Sequence, residues 1–96
     1  MPNTFLLTKP HMHPRADLCF KLLGRTEDAR LYLCEDGIYC LLDGLEALLP
    51  AERIFPSKED VQARGVHAGD KVVLPDDFYG KMVEDIMACS GYVYAF

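Results

Sequence analysis

The feature that most constrains this chain is its punctuation. Apolar runs of about five residues, the length of a short strand, recur between stretches of helical periodicity, and each is closed by proline, glycine or aspartate. Strand-type and helix-type segments in alternation form βαβ units around a mainly parallel sheet. The first strand is expected over residues 4–8, followed by a loop holding Pro10, His11, His13 and Pro14. Pro14 suits the opening of a helix over residues 15–23, and Gly24 suits its end. Residues 29–34 alternate as a second strand until Glu35-Asp36-Gly37 breaks the pattern. Asp36 can cap a helix from about residue 37 to 49, interrupted near Asp43-Gly44 and stopped by Pro50. A third strand is expected over 53–55, then a helix capped by Ser57 and ended by Gly65, and a fourth strand over 71–74. The strongest amphipathic pattern lies between residues 77 and 89, with Phe78, Tyr79, Met82, Val83 and Ile86 on one side and Asp77, Lys81, Glu84 and Asp85 on the other. An aromatic closing strand over 92–96 completes the pattern. The expectation is a three-layer α/β/α sandwich with a mainly parallel sheet of about five strands. All 96 residues would form a single domain, 1–96, around one core.

Composition narrows the function classes. Half of the residues (50%) are hydrophobic and 26% charged, so the chain carries enough apolar surface to fold. Ten basic against fifteen acidic side chains, a net charge of −5, argue against direct nucleic-acid binding and against an anionic membrane surface. The longest apolar stretches, residues 38–42 and 45–49, fall well short of the roughly 20 residues that cross a bilayer. Residues 1–7 lack a basic segment followed by a long apolar core, so no secretory signal is read and a cytoplasmic location is expected. Because so small a domain gains stability by covering part of its surface, oligomerisation is expected too.

Candidate chemistry rests on cysteine. The four cysteines, Cys19, Cys34, Cys40 and Cys89, are read as free thiols in a reducing compartment, and none forms a C-x-x-C pair. Ligand sites in parallel α/β sheets gather at the carboxyl ends of the strands, which directs attention to residues 10–19, 34–40 and 56–57. Cys19 lies about one turn into the first helix, where the helix dipole and Arg15 would favour a nucleophilic thiolate. Against that, Ala16, Leu18, Phe20, Leu22 and Leu23 draw an apolar arc around it, the pattern of a packed structural cysteine. Cys34 and Cys40 can meet across the Glu35-Asp36-Gly37 turn, although acidic neighbours oppose their ionisation and packing is the simpler role. Cys89 shares the arc of Phe78, Met82 and Ile86 and reads as core. His11 and His13 beside Cys19 could make a small metal-binding or redox module, or could be solvated loop residues. His67 has no evident partner. Phosphate-loop, dinucleotide, zinc-protease and nucleophile-elbow patterns are absent from the sequence.

Several stretches carry a resemblance. Phe5-Leu6-Leu7-Thr8-Lys9, Leu18-Cys19-Phe20-Lys21, Glu35-Asp36-Gly37-Ile38-Tyr39 and Asp60-Val61-Gln62-Ala63-Arg64-Gly65, with the last helix and its aromatic tail, are similar in order to landmarks of the DsrH/TusB family of sulfur-relay subunits. The resemblance implies a DsrEFH-like α/β fold and assembly with DsrE/TusD-like and DsrF/TusC-like subunits. Such complexes pass persulfide sulfur between carrier proteins, toward 2-thiolation of a tRNA wobble uridine or in dissimilatory sulfur oxidation. Cys19 matches the first-helix cysteine of the DsrH branch, which makes it the candidate catalytic residue of a sulfurtransferase subunit. TusB members without that cysteine imply the alternative, a non-catalytic structural subunit. Thiol-to-thiol transfer of this kind requires no metal and no organic cofactor.

Overall fold

The computed structural model describes residues 3–10, 12–26, 28–43, 45, 49–67, 72, 74–88 and 92–96. Four strands, β1 (Asn3–Leu7), β2 (Ala29–Leu33), β3 (Ile54–Pro56) and β4 (Val93–Ala95), form one sheet in the order β3-β2-β1-β4. Every neighbouring pair is parallel, with Phe5 opposite Leu31 and Tyr94, and Leu31 opposite Ile54. Among the described residues three α-helices, α1 (Pro14–Leu23), α2 (Lys58–Arg64) and α3 (Phe78–Ala88), a 3-10 helix (Glu35–Asp43) and a single short 3-10 turn (Ala51–Arg53) connect them.

Among the described residues the sheet has four strands, against the expectation of about five. Val72 and Leu74 lie outside any strand, while residues 71 and 73 fall outside the described residues. The expected strand over 71–74 thus lies partly outside the described residues, and Val72 buries its side chain in the core. The second helix also differs. Its opening turn sends the Gly37 amide 3.0 Å to the Cys34 carbonyl, three residues back, and the chain continues in that tighter winding as far as Asp43.

Period-two alternation divides the side chains between two faces of the sheet. Phe5 and Leu7 of β1, Leu31 and Leu33 of β2 and Ile54 of β3 face the larger core. Ala16, Cys19 and Leu23 of α1, Ile38 and Cys40 of the 3-10 helix and Val61 of α2 close over them. Each fully buried Leu- or Phe-sized side chain contributes roughly 1.5–3 kcal/mol. On the other face Tyr32 and Cys34 pack with Phe55 and Leu6 beneath Phe78 and Met82 of α3. Helices therefore lie on both sides of the sheet, the α/β arrangement expected.

The orientation of α3 departs from the expected one. Tyr79, Val83 and Met87 are exposed, whereas Asp85 is buried. The cause lies on β2. The Tyr32 hydroxyl donates to Asp85, which also takes Arg30 Nη1 at 3.0 Å and Lys81 Nζ at 3.1 Å. Tyr32 stacks on Phe55 with ring centroids 4.9 Å apart, and the Lys81 ammonium sits 5.2 Å from the Phe55 ring centre. A buried carboxylate with three donors is satisfied, so α3 turns this acid inward and leaves an apolar stripe outside. No helix among the described residues is long and apolar enough to cross a membrane.

Candidate functional site

The carboxyl end of the sheet is where the sequence placed its candidate thiols, and each is set there by local rules. His13 caps α1, its Nδ1 accepting from the Arg15 amide at 3.1 Å, and Pro14 follows at the first helical position. At the other end the Gly24 amide donates to the Phe20 carbonyl at 3.0 Å. This registration turns Ala16, Cys19 and Leu23 inward and leaves Arg15 and Leu18 outside.

Cys19 is 0% exposed, and burial, with a further push from Cys40, raises its thiol to about 12. The expected thiolate-favouring environment is thereby corrected. A helix terminus supplies roughly 0.3–1 kcal/mol, whereas a rise from 9.0 to about 12 corresponds to about 4 kcal/mol in the opposite direction. Desolvation wins.

Cys40 arrives from the 3-10 helix, is also 0% exposed, and directs its Sγ 3.7 Å to the Lys9 carbonyl in the loop after β1. Cys34 ends β2 at 4% exposure, and burial first, then Glu35 and Asp60, push its thiol up to about 11 against the opposing pull of Arg64. The suggested meeting of Cys34 and Cys40 does not occur. Cys40 belongs to the core beneath α1, and Cys34 packs with Tyr32 and Phe78 on the opposite face of the sheet. The thiol that Cys40 influences is Cys19.

His13 serves as a helix cap and His67 is exposed. His11 and Cys89, the remaining candidates, lie outside the described residues. Among the described residues no three His, Cys, Asp or Glu side chains converge as metal ligands.

One cluster escaped the sequence reading. Arg64 donates through Nη1 to Asp60 Oδ1 at 3.1 Å and through Nη2 to Asp36 Oδ1 at 3.2 Å, while Asp60 Oδ2 accepts the Glu35 amide at 2.9 Å. Asp60 and Arg64 stand four apart on α2, a spacing that signals the first of these pairs. Nothing local signals the reach to residues 35 and 36. Between those two contacts Glu35 adopts φ 52, and Gly37 lies so close to β1 that a Cβ there would meet the Leu7 carbonyl oxygen at 2.2 Å. The Glu35-Asp36-Gly37 turn and the Asp60-to-Gly65 stretch are thus one structural unit at the carboxyl edge of β2.

A comparison with curated proteins returns no match. A family profile described as DsrH like protein matches residues 9–90. That span takes in Cys19, the Glu35-Asp36-Gly37 turn, the Arg64 clamp and all of α3, and the chain belongs to the DsrH-like family.

Proposed function

We propose that this DsrH-like chain is a subunit of a cytoplasmic sulfur-relay complex, assembled with DsrE/TusD-like and DsrF/TusC-like subunits, and that its own contribution there is structural. Family membership supports the relay. The observation that carries the structural role is the burial of Cys19. Persulfide transfer begins with a thiolate attacking the outer sulfur of R–S–SH, leaving R–S⁻ and a new persulfide. A thiol near 12 is ionised in about one molecule in 10⁵ at pH 7, and this one has no surface through which to meet a donor. The partners, not this chain, then determine whether the sulfur enters tRNA wobble-uridine 2-thiolation or dissimilatory sulfur oxidation. Exposed Tyr79, Val83 and Met87 on α3 and Val93 on β4 supply apolar surface for such an assembly.

A second reading keeps Cys19 as the carrier. It is supported by the match of Cys19 to the first-helix cysteine of the DsrH branch, and it needs a docking partner that opens the core over a thiol that is 0% exposed. Mass spectrometry of the chain, alone and with its partner subunits, after incubation with a persulfide donor separates the two. The structural role predicts no sulfur adduct on Cys19 in either sample. An adduct of about 32 Da on Cys19, lost in Cys19→Ser, overturns it and establishes the carrier.

A further inference from the structure

Among the described residues the sheet ends on β4, and that edge is open. A strand in a parallel ladder turns the amide and carbonyl of alternate residues to the same neighbour. On β4 the residues turned toward β1 are Tyr92, Tyr94 and Phe96. The Tyr92 carbonyl accepts the Thr4 amide at 3.0 Å, the Phe96 amide donates to the Leu6 carbonyl at 2.8 Å, and the Phe96 carbonyl accepts the Thr8 amide at 3.1 Å. The amides and carbonyls of Val93 and Ala95 therefore point away from the sheet. Both side chains are exposed, that of Val93 by 49%.

Sheet edges are ordinarily blunted by charge or proline, because unpaired backbone is a template for another strand. The other end strand among the described residues, β3, fits that rule. The Ser57 amide donates to the Leu33 carbonyl at 2.8 Å, which turns Pro56 outward, a residue with no amide to offer. β4 has no such guard, since residues 92–96 carry neither a charge nor a proline.

What this edge accepts follows from its own symmetry. Val93 and Ala95 flank Tyr94, so a copy of the same strand, turned antiparallel about Tyr94, sets Val93 of one chain opposite Ala95 of the other. Each such pair exchanges both its amide and its carbonyl bonds. Tyr94 then faces its own counterpart, and Tyr92 faces Phe96. These three rings already form one column on the sheet face shared with Phe5, with centroids 6.2 and 6.5 Å apart along the strand and 4.9 Å from Phe5 to Tyr94. Tyr92 is 72% exposed and the other two are half-buried, so cross-strand aromatic pairing covers surface that a single chain leaves in water. A strand without aromatic residues at this spacing would satisfy the backbone and leave the column uncovered.

We infer that two copies of this chain pair through β4, antiparallel and centred on Tyr94, and join their sheets into one. α3 and its exposed stripe lie on the opposite face, so the pairing goes beyond the relay reading and does not depend on it.

Sedimentation velocity of the full chain, from micromolar to near-millimolar concentration, should show a monomer passing to a dimer. Ala95→Pro deletes an outward amide from both halves of the interface, and Val93→Lys places a charge on each. With circular dichroism spectra unchanged, either should weaken the dimer about tenfold or more. Cysteine substitution under oxidised glutathione reads the register. Tyr94→Cys should link two chains, since residue 94 faces its counterpart, whereas Val93→Cys, offset from its own counterpart, should not. The proposal is overturned by a chain that stays monomeric throughout, whether or not a different protein occupies the edge. A dimer that both folded variants leave intact, or a link through Val93→Cys and not through Tyr94→Cys, overturns it equally.

Discussion

Arg64 is clamped to Asp36 across the carboxyl edge of the sheet, its Nε and Nη2 lying 3.3 and 3.2 Å from the same Asp36 oxygen. Because Nη1 of the same guanidinium holds Asp60, and Asp60 holds the Glu35 amide, one side chain ties α2 to the turn leaving β2. Arg64→Ala should lower the thermal midpoint by a few degrees. Adding Asp36→Ala to that variant should cost little more, since groups sharing one network are not additive. Thermal melts of the two single variants and the double variant read this directly.

Two glycines should respond to alanine for different reasons. At Gly37 the added Cβ would strike the Leu7 carbonyl oxygen at 2.2 Å, a backbone atom that cannot move aside without parting β1 from its neighbours. The expected cost is at or above the top of the roughly 1–3 kcal/mol range for overpacking. At Gly65 the Cβ would meet open space, and only the left-handed φ of 64 is at issue, for about 1 kcal/mol. Urea denaturation of both variants should rank Gly37→Ala well below Gly65→Ala.

The buried thiols predict an alkaline limb of stability. Cys19 and Cys34 rise from 9.0 to about 12 and about 11, so the folded chain holds these protons more tightly than the unfolded chain does. Their stabilisation is complete below pH 9 and is lost between pH 9 and about 12, a loss on the order of a few kcal/mol. Denaturation midpoints measured across that window should fall, and Cys19→Ala should flatten the fall. Alkylation of Cys19 by iodoacetamide at pH 7.5 should proceed at the rate of global opening and accelerate in denaturant.

Asp85 governs the acid side. Burial alone would raise its carboxyl, but the hydrogen bond from Tyr32 and the charges of Lys81 and Arg30 outweigh it and hold the group below its ordinary value of 3.8. Stability from this site is therefore present above pH 3.8 and lost as pH falls through the lower, folded-state value. Tyr32→Phe should cost about 1.5–3 kcal/mol, the usual worth of a hydrogen bond to a charged group. Asp85→Asn should cost as much and weaken the acid limb, as pH-dependent denaturation would show.

How far the sequence could be read follows the range of the interactions. The strands were legible because their apolar runs are local, and α1 and α2 because Pro14, Ser57, Gly24 and Gly65 mark helix ends by backbone preference. The facing of α3 was not, since Asp85 looks like solvent-side polarity until Tyr32, 53 residues away, is placed beneath it. Cys19 shows the same limit within the candidate site. Its helical-wheel position pointed inward, but the weight of desolvation over the dipole depends on Cys40 and on a core assembled from other elements. The tighter winding after β2 was hidden for a related reason. Caps and periodicity mark a helix there, whereas the close approach of Gly37 to Leu7 belongs to the packed chain.

The sheet between Cys34 and Cys40 acts as a septum. Near neighbours along the backbone, the two sulfurs inhabit separate chambers, and no bond can join them while the strands stay paired. An oxidant that reached one would find no internal route to the other. A disulfide between these two cysteines would therefore report that β2 had parted from its neighbours.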